Sequence, residues 1–66
     1  MEIVINGENR PLAAVMSLQA LLHSLALPED RIAVELNSEI VRKDEWGRTE
    51  IKDRDRLEIV HFVGGG

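Results

Sequence analysis

The sequence predicts an α+β fold in which a single helix packs on one sheet, within one domain that spans residues 1–66. Three observations support this prediction. Apolar and polar residues alternate near both ends of the chain, as they do in strands with one face in a core. Between these ends, one stretch has leucines at the i, i+3, i+4 and i+7 spacing of an amphipathic helix. A single apolar helical stripe needs a sheet face to cover it.

The first predicted unit is a β-hairpin. Met1, Ile3 and Ile5 alternate with Glu2, Val4 and Asn6, which is the period of a strand, and Asn6-Gly7 ends this stretch. Both turn residues tolerate the positive φ angles of a tight hairpin turn. Residues 8–12 should form the returning strand at an edge of the sheet, because Pro11 has no N–H to donate to a further strand.

The predicted helix covers residues 18–25. Its apolar stripe consists of Leu18, Leu21, Leu22 and Leu25. Ser17 is placed to cap the first turn, because a serine hydroxyl can accept a hydrogen bond from a free backbone N–H. The helix is short, because Pro28 disfavours helical geometry in the residue before it.

The second half of the chain predicts strands again. Alternation returns at residues 32–36, and the apolar pair Ile40-Val41 follows a polar turn. Residues 43–46 should form an irregular helical turn, and residues 49–51 a short strand. The longest apolar stretch, residues 57–63, comes after a charged turn. The first and last strands carry apolar residues on both faces, as central strands do, so we expect them to be neighbours.

The composition excludes several classes of function. The chain has 8 Lys and Arg against 12 Asp and Glu, a net charge of −4 that is spread evenly along the sequence. No basic face is available to neutralise phosphates, so nucleic acid is not an expected partner. With 0 Cys and 2 His, disulfides, thiolate zinc sites and a cysteine nucleophile are excluded, and no metal site is expected.

No catalytic group is predicted either. The serines have no neighbouring His with an acid to orient it. The triplet Asp53-Arg54-Asp55 lacks the glycine and the later ligands of a calcium loop, and is predicted to be a turn of mutually compensating charges. No apolar run approaches the ~18 residues of a membrane span, and the first residues lack the basic start of a secretory signal. We therefore expect a cytoplasmic protein without a membrane partner.

One helix covers only one face of the sheet, which leaves apolar residues on the other. If Ile3, Ile5, Leu57 and Ile59 face the helix, then Val4, Val60 and Phe62 point away from it. Such a patch, extended by Val63, predicts a partner-binding surface. The alternative is that Phe62 and Val63 fold back over the loop that contains Trp46.

Three glycines, Gly64, Gly65 and Gly66, follow the last apolar strand. Glycine loses the most entropy on ordering and has no side chain to pack, so we expect a mobile arm of about 10 Å. Without side chains the arm can enter a narrow slot in another protein, with an ionised carboxylate at its tip. That carboxylate can attack the α-phosphate of ATP and become an electrophile. A frayed end or a linker remains the alternative.

The whole chain resembles the ThiS family of sulfur carrier proteins of thiamine biosynthesis. The resemblance is carried by the opening MEIVING, the helix at 18–25, the segment VELN that leads to Ile40-Val41, and Trp46 after an acidic pair. Its most specific part is the ending DRDRLEIVHFVGGG. The resemblance implies a β-grasp, ubiquitin-like fold, in which one helix packs on a mixed four- to five-stranded sheet with the first and last strands central and parallel.

The resemblance also implies a chemistry for the tail. In the family, a ubiquitin-activating-like adenylyltransferase uses ATP and magnesium to adenylate the last glycine, here Gly66. A persulfide sulfur donor then yields a thiocarboxylate, which supplies sulfur to thiazole synthase. Gly64 and Gly65 would thread into both partners, with Val60, Phe62 and Val63 at the interfaces. The protein would be a co-substrate with no bound cofactor, and not an enzyme.

Three alternatives stay open at this point. The small subunit of molybdopterin synthase shares the fold and the tail chemistry, but is usually longer and tends to carry proline before its glycines, where this chain has Phe62-Val63. A ubiquitin-like protein modifier would transfer Gly66 to an amine, and this chain offers only Lys43 and Lys52 for self-conjugation. A plain interaction module would use the apolar patch alone.

Overall fold

A five-stranded mixed sheet with one helix on it forms the framework of the protein, in a computed structural model that describes residues 1–63. In chain order the strands and the helix are β1 (Glu2–Ile5), β2 (Glu8–Pro11), β3 (Met16–Ser17), α1 (Leu18–Ser24), β4 (Ile32–Leu36), β5 (Glu39–Val41), β6 (Glu50–Ile51) and β7 (Arg56–His61). Two 3₁₀ helices, Glu29–Arg31 and Lys43–Arg48, precede β4 and β6. The α+β fold with one helix on one sheet is confirmed.

The strand order of the main sheet is β2-β1-β7-β4-β5. The first and last strands are neighbours and run parallel, with Val4 aligned to Arg56 and Ile5 to Leu57. All other neighbours in this sheet are antiparallel. β2 lies at an edge, where the missing N–H of Pro11 interrupts no ladder. The predicted central position of the terminal strands is therefore confirmed.

Two tight turns in the left-handed region join the outer hairpins. Asn6 and Gly7 have φ of 51° and 82°, and Asn37 and Ser38 have φ of 51° and 75°. Two consecutive positive φ angles match the right-handed twist of the flanking strands, as in a type I′ turn. The first of these turns was predicted from Asn6-Gly7. The second uses serine where glycine is the preferred residue.

A second, two-stranded ribbon lies outside the main sheet. β3 pairs antiparallel with β6, with Met16 opposite Ile51, and the N–H of Leu18 donates to the carbonyl of Thr49 at 2.7 Å. The short strand expected at residues 49–51 corresponds to β6. β3 was not predicted, because two residues are too few to show a period.

The core lies between the inner face of the main sheet and α1. The helix begins as predicted, with the Ser17 hydroxyl accepting a hydrogen bond from the N–H of Ala20 at 3.0 Å. It ends at Ser24, one residue earlier than predicted, and Leu25 is its C-cap.

The most deeply buried large side chains are Trp46, Ile3, Leu18, Leu22, Ile51, Leu57 and Val34. The indole N–H of Trp46 donates to the carbonyl of Val41 at 3.0 Å, which satisfies its polar edge. Across residues 1–63, no helix is long and apolar enough to cross a bilayer.

Candidate functional site

The last strand approaches the glycine tail from the middle of the sheet. β7 ends at His61, two residues before the end of the predicted stretch 57–63. Pairing continues for one more residue, because the N–H of Phe62 donates to the carbonyl of Arg31 at 2.9 Å. Phe62 is 50% exposed and Val63 is 98% exposed, so neither folds back over Trp46. The predicted tail residues Gly64, Gly65 and Gly66 lie outside the described residues.

The face of the sheet that points away from α1 is the candidate binding surface, and we call it the outer face. Its strand residues alternate with inward-facing residues along β1, β4 and β7, or lie opposite such outward residues on the next strand. They include Val4 on β1, Arg56, Glu58 and Val60 on β7, Ala33 and Glu35 on β4, and Ile40 on β5.

The predicted apolar patch is divided by charge. Val60 is 58% exposed and lies opposite Ala33, next to the exposed Phe62 and Val63. Val4 is only partly exposed and lies beside Arg56. Arg56 precedes Val60 by four residues on β7, a distance of about 13 Å along the strand. Glu58 stands between them on the same face. The sequence predicts which of these residues share a face, but they do not form one continuous apolar surface.

Two glutamates face each other at the centre of the outer face. Glu35 on β4 is directly opposite Glu58 on β7, and both are exposed. Ile40, which is 73% exposed, lies opposite Glu35 on the other side. The two carboxylates, Arg56 and Val4 line a shallow concavity of about 460 Å³. Sequence reasoning missed this arrangement, although the Asn37-Ser38 turn would have set the register that brings Ile40 beside Glu35.

An asparagine at the end of β1 extends the pairing of β7. Asn6 Nδ2 donates to the carbonyl of Ile59 at 3.1 Å, and Asn6 Oδ1 accepts from the N–H of Ile59 at 2.7 Å. The side chain thus replaces a strand backbone at the point where β1 turns away. Asparagine suits this position because it tolerates positive φ and carries both a donor and an acceptor.

A second asparagine holds the start of β7 from the opposite side. The N–H of Asn37 donates to the carbonyl of Arg56 at 2.7 Å, and Asn37 Oδ1 accepts from the N–H of Arg56 at 3.0 Å. Asn37 Nδ2 also donates to Asp55 Oδ1 at 3.1 Å. Asn37 thus holds β7 at its first residue from the β4 side, and Asn6 holds it at Ile59, two residues before its end, from the β1 side.

The charged turn before β7 differs from the prediction at one residue. Arg54 and Asp53 form an exposed ion pair at 3.9 Å, as compensating charges would. Asp55, by contrast, is buried, and its Oδ2 accepts a hydrogen bond from the N–H of Lys52 at 2.9 Å. It fixes the turn through hydrogen bonds and not through a cation. No signal in the sequence marks this role, because charged residues stand on both sides of Asp55.

The residues His23, Ser17 and Ser24 make local contacts at α1. Across residues 1–63, no group of three His, Cys, Asp or Glu side chains is placed to hold a metal ion. His23 contacts Glu29 beside the end of α1, away from the outer face. The hydroxyls of Ser17 and Ser24 are engaged in hydrogen bonds of the helix.

Comparison with known proteins matches the whole chain. The model of the ThiS family matches residues 3–66. The sulfur carrier protein ThiS of Bacillus subtilis is 48% identical over 50 residues, which cover 76% of each chain. The crystal structure of a thiamine biosynthesis protein (ThiS) from Geobacter metallireducens superimposes with a TM-score of 0.87 at 29% identity and covers 100% of both chains. The five-stranded sheet and its helix therefore form the β-grasp fold of that family.

Two further relatives are larger proteins. Thiazole synthases of Paramagnetospirillum magneticum and Magnetococcus marinus are 47% and 36% identical to this chain over 66 residues. The chain covers 20% of the length of each. Each of these proteins named thiazole synthase therefore contains a segment similar to this chain within a longer polypeptide.

Proposed function

The chain belongs to the ThiS family, and on that premise we propose that it is a sulfur carrier of thiamine biosynthesis whose Gly66 bears a thiocarboxylate. The observation that carries the proposal is the path of β7. This central strand leads to Phe62 and Val63, which are exposed and directly precede the three glycines in the sequence. The named function of the Bacillus subtilis relative supports the same role.

The proposed chemistry takes place at the carboxylate of Gly66, inside a partner enzyme. A ubiquitin-activating-like adenylyltransferase binds ATP and magnesium, and the carboxylate attacks the α-phosphate and displaces pyrophosphate. The terminal sulfur of a persulfide donor attacks the resulting acyl-adenylate and displaces AMP. A thiol then attacks the donor's sulfur in this acyl disulfide and forms a new disulfide with the donor, and the thiocarboxylate leaves. Gly64 and Gly65 provide the narrow segment that such an active site needs.

This chain contributes binding and presentation to these steps, and its partners contribute the catalysis. In this proposal the chain is a co-substrate, which the family match and the named function of the Bacillus subtilis relative support. Thiazole synthase is the proposed acceptor of the sulfur, and the two relatives of that name support this choice over molybdopterin synthase.

A mass-spectrometric experiment tests the proposal at Gly66. The protein is incubated with the adenylyltransferase of the same organism, ATP and a persulfide donor, alkylated with a thiol reagent, and fragmented. Alkylation is necessary because replacing oxygen by sulfur adds nearly the same mass as oxidation of Met1 or Met16. The chain has 0 Cys, so an adduct reports a new thiol.

The expected result is an ATP-dependent adduct confined to Gly66. Reactions without ATP, and a variant that lacks Gly65 and Gly66, serve as controls and should give none. An unmodified Gly66 in the presence of an enzyme that is active on a known carrier contradicts the proposal, and so does an adduct elsewhere.

The patch next to the tail is proposed to contact these enzymes and has its own test. Val60→Ser removes an exposed methyl pair from the outer face, and Val15→Ser does the same at a half-exposed residue outside it. We expect only the Val60 variant to slow adenylation, with a raised KM. Equal rates for both variants would exclude the patch from the interface.

A further inference from the structure

The centre of the outer face carries a charge arrangement that the tail chemistry does not use. Glu35 and Glu58 lie directly opposite each other on adjacent strands, and their side chains therefore share one face. Within residues 1–63, neither carboxylate belongs to an ion pair. Like charges in this position destabilise a sheet, so the free protein holds an unfavourable pair on its middle strand β7 and the neighbouring β4.

The surroundings of this acidic pair are apolar toward the tail, whereas Arg56 lies on the other side, in the same concavity. Ile40 lies beside Glu35, and the Ala33–Val60 pair is the next pair along the strands on the same face. Phe62 and Val63 continue this apolar surface toward the tail. Contact of these residues with another protein would remove water from around the carboxylates and strengthen any charge interaction that they make.

Charge complementarity decides between the possible occupants. A second copy of this chain on the outer face would bring four carboxylates together with two Arg56 side chains, an excess of negative charge that disfavours self-association. A partner that presents one basic side chain would contact both glutamates at once and, together with Arg56, would balance their charge. The planar fork of a guanidinium suits two neighbouring carboxylates better than an ammonium does.

We propose that Glu35 and Glu58 together receive an arginine side chain that thiazole synthase presents within an apolar surface. The proposal rests on the proposed function and deepens it, because it names the residues that select this partner. Two thiazole synthases carry a segment similar to this chain in one polypeptide, which favours this occupant over the adenylyltransferase. The exposed apolar residues supply contact area, and the acidic pair supplies orientation and specificity.

Variants of the two glutamates should change stability and binding in opposite directions. Replacing either with glutamine removes the repulsion, so the free protein becomes more stable. The same change removes half of the charge that receives the arginine, so binding becomes weaker. A merely structural role would move stability and binding in the same direction.

The experiment compares Glu35→Gln, Glu58→Gln and the double variant with Glu39→Gln. Glu39 is an exposed acid on β5 whose cross-strand partner is Leu36, on the inner face, so its variant has the same change in charge off the outer face. Affinity for purified thiazole synthase of the same organism is measured by calorimetry at low and high salt, and stability by urea unfolding. For the double variant we expect a Kd raised about tenfold, a weaker salt dependence and a higher unfolding midpoint. Glu39→Gln should bind like the wild type.

Several results would overturn the proposal. They are an unchanged Kd for the double variant, a loss of binding together with a loss of stability, and a loss confined to the adenylyltransferase. A wild-type dimer that dissociates on mutation of Ile40 would assign the outer face to a second copy.

Failure of the proposed function is recognised separately. If Gly66 acquires its thiocarboxylate but the wild type does not bind thiazole synthase, this inference is wrong and the carrier function stands. If no thiocarboxylate forms but binding depends on both glutamates, the docking surface stands and the carrier function is wrong.

Discussion

The two hydrogen bonds between Asn6 and Ile59 give a quantitative prediction about what holds the last strand. Asn6→Ala removes both bonds and leaves the N–H and carbonyl of the buried Ile59 without these partners. A typical net value of about 1 kcal/mol per bond gives about 2 kcal/mol. Alanine must also adopt the φ of 51° at this position, which adds about 1 kcal/mol. The expected loss is therefore about 3 kcal/mol.

Asn6→Gly separates these two contributions. Glycine adopts positive φ without strain, so only the hydrogen bonds are lost and the expected cost is about 2 kcal/mol. Asn9→Ala is a matched control, since Asn9 is exposed on β2 and its side chain makes no hydrogen bond within residues 1–63. It should stay within about 0.5 kcal/mol of the wild type.

Urea unfolding followed by the fluorescence of Trp46 measures these differences. Trp46 is the only tryptophan and is buried, so its emission reports loss of the core. A domain of this length has a total stability on the order of 3–10 kcal/mol, so Asn6→Ala removes a large part of it. If both variants stay within about 0.5 kcal/mol of the wild type, the bridge to Ile59 contributes nothing. Equal losses for alanine and glycine would refute the argument from φ.

Three further predictions concern other single contacts. Ser17→Ala removes the helix cap and should cost about 1 kcal/mol in urea unfolding, whereas an unchanged midpoint would mean that the cap bond to Ala20 is not formed in solution. Trp46→Phe leaves the carbonyl of Val41 without its indole partner and should cost about 2 kcal/mol by circular dichroism, and no loss would show that water replaces the bond. Ser38→Gly relieves a φ of 75° and should raise stability by about 0.5–1 kcal/mol, while a decrease would show that chain entropy outweighs strain there.

The parts of the fold that follow from a repeated pattern were predictable. The helix has four leucines in register, and the terminal strands are apolar on both faces, so periodicity alone places them. β3 consists of two residues and pairs with β6, more than thirty residues away in the sequence, so no local signal marks it. The strand ends and the helix end differed from prediction by one or two residues, because hydrogen bonds and not hydropathy decide them.

The candidate site was predictable in its composition and not in its arrangement. The sequence identifies Val60 and Phe62 as outward residues, because their parity is opposite to that of Leu57 and Ile59. It does not show that Glu35 faces Glu58, because that pairing depends on the register between two strands that lie 23 positions apart. The burial of Asp55 depends on Asn37 in the same way.

The central position of β7 ties the integrity of the fold to the availability of the tail. β1 and β4 do not pair with each other, and β7 alone joins the two hairpins into one sheet. A molecule in which β7 has come loose exposes the apolar faces of both hairpins and, at the same time, loses the surface formed by Val60 and Glu58. A partner that binds the outer face of β7 would therefore bind only molecules in which β7 is in place, before it accepts their tail. For the adenylyltransferase, which we propose to contact Val60, this selection would precede the use of ATP.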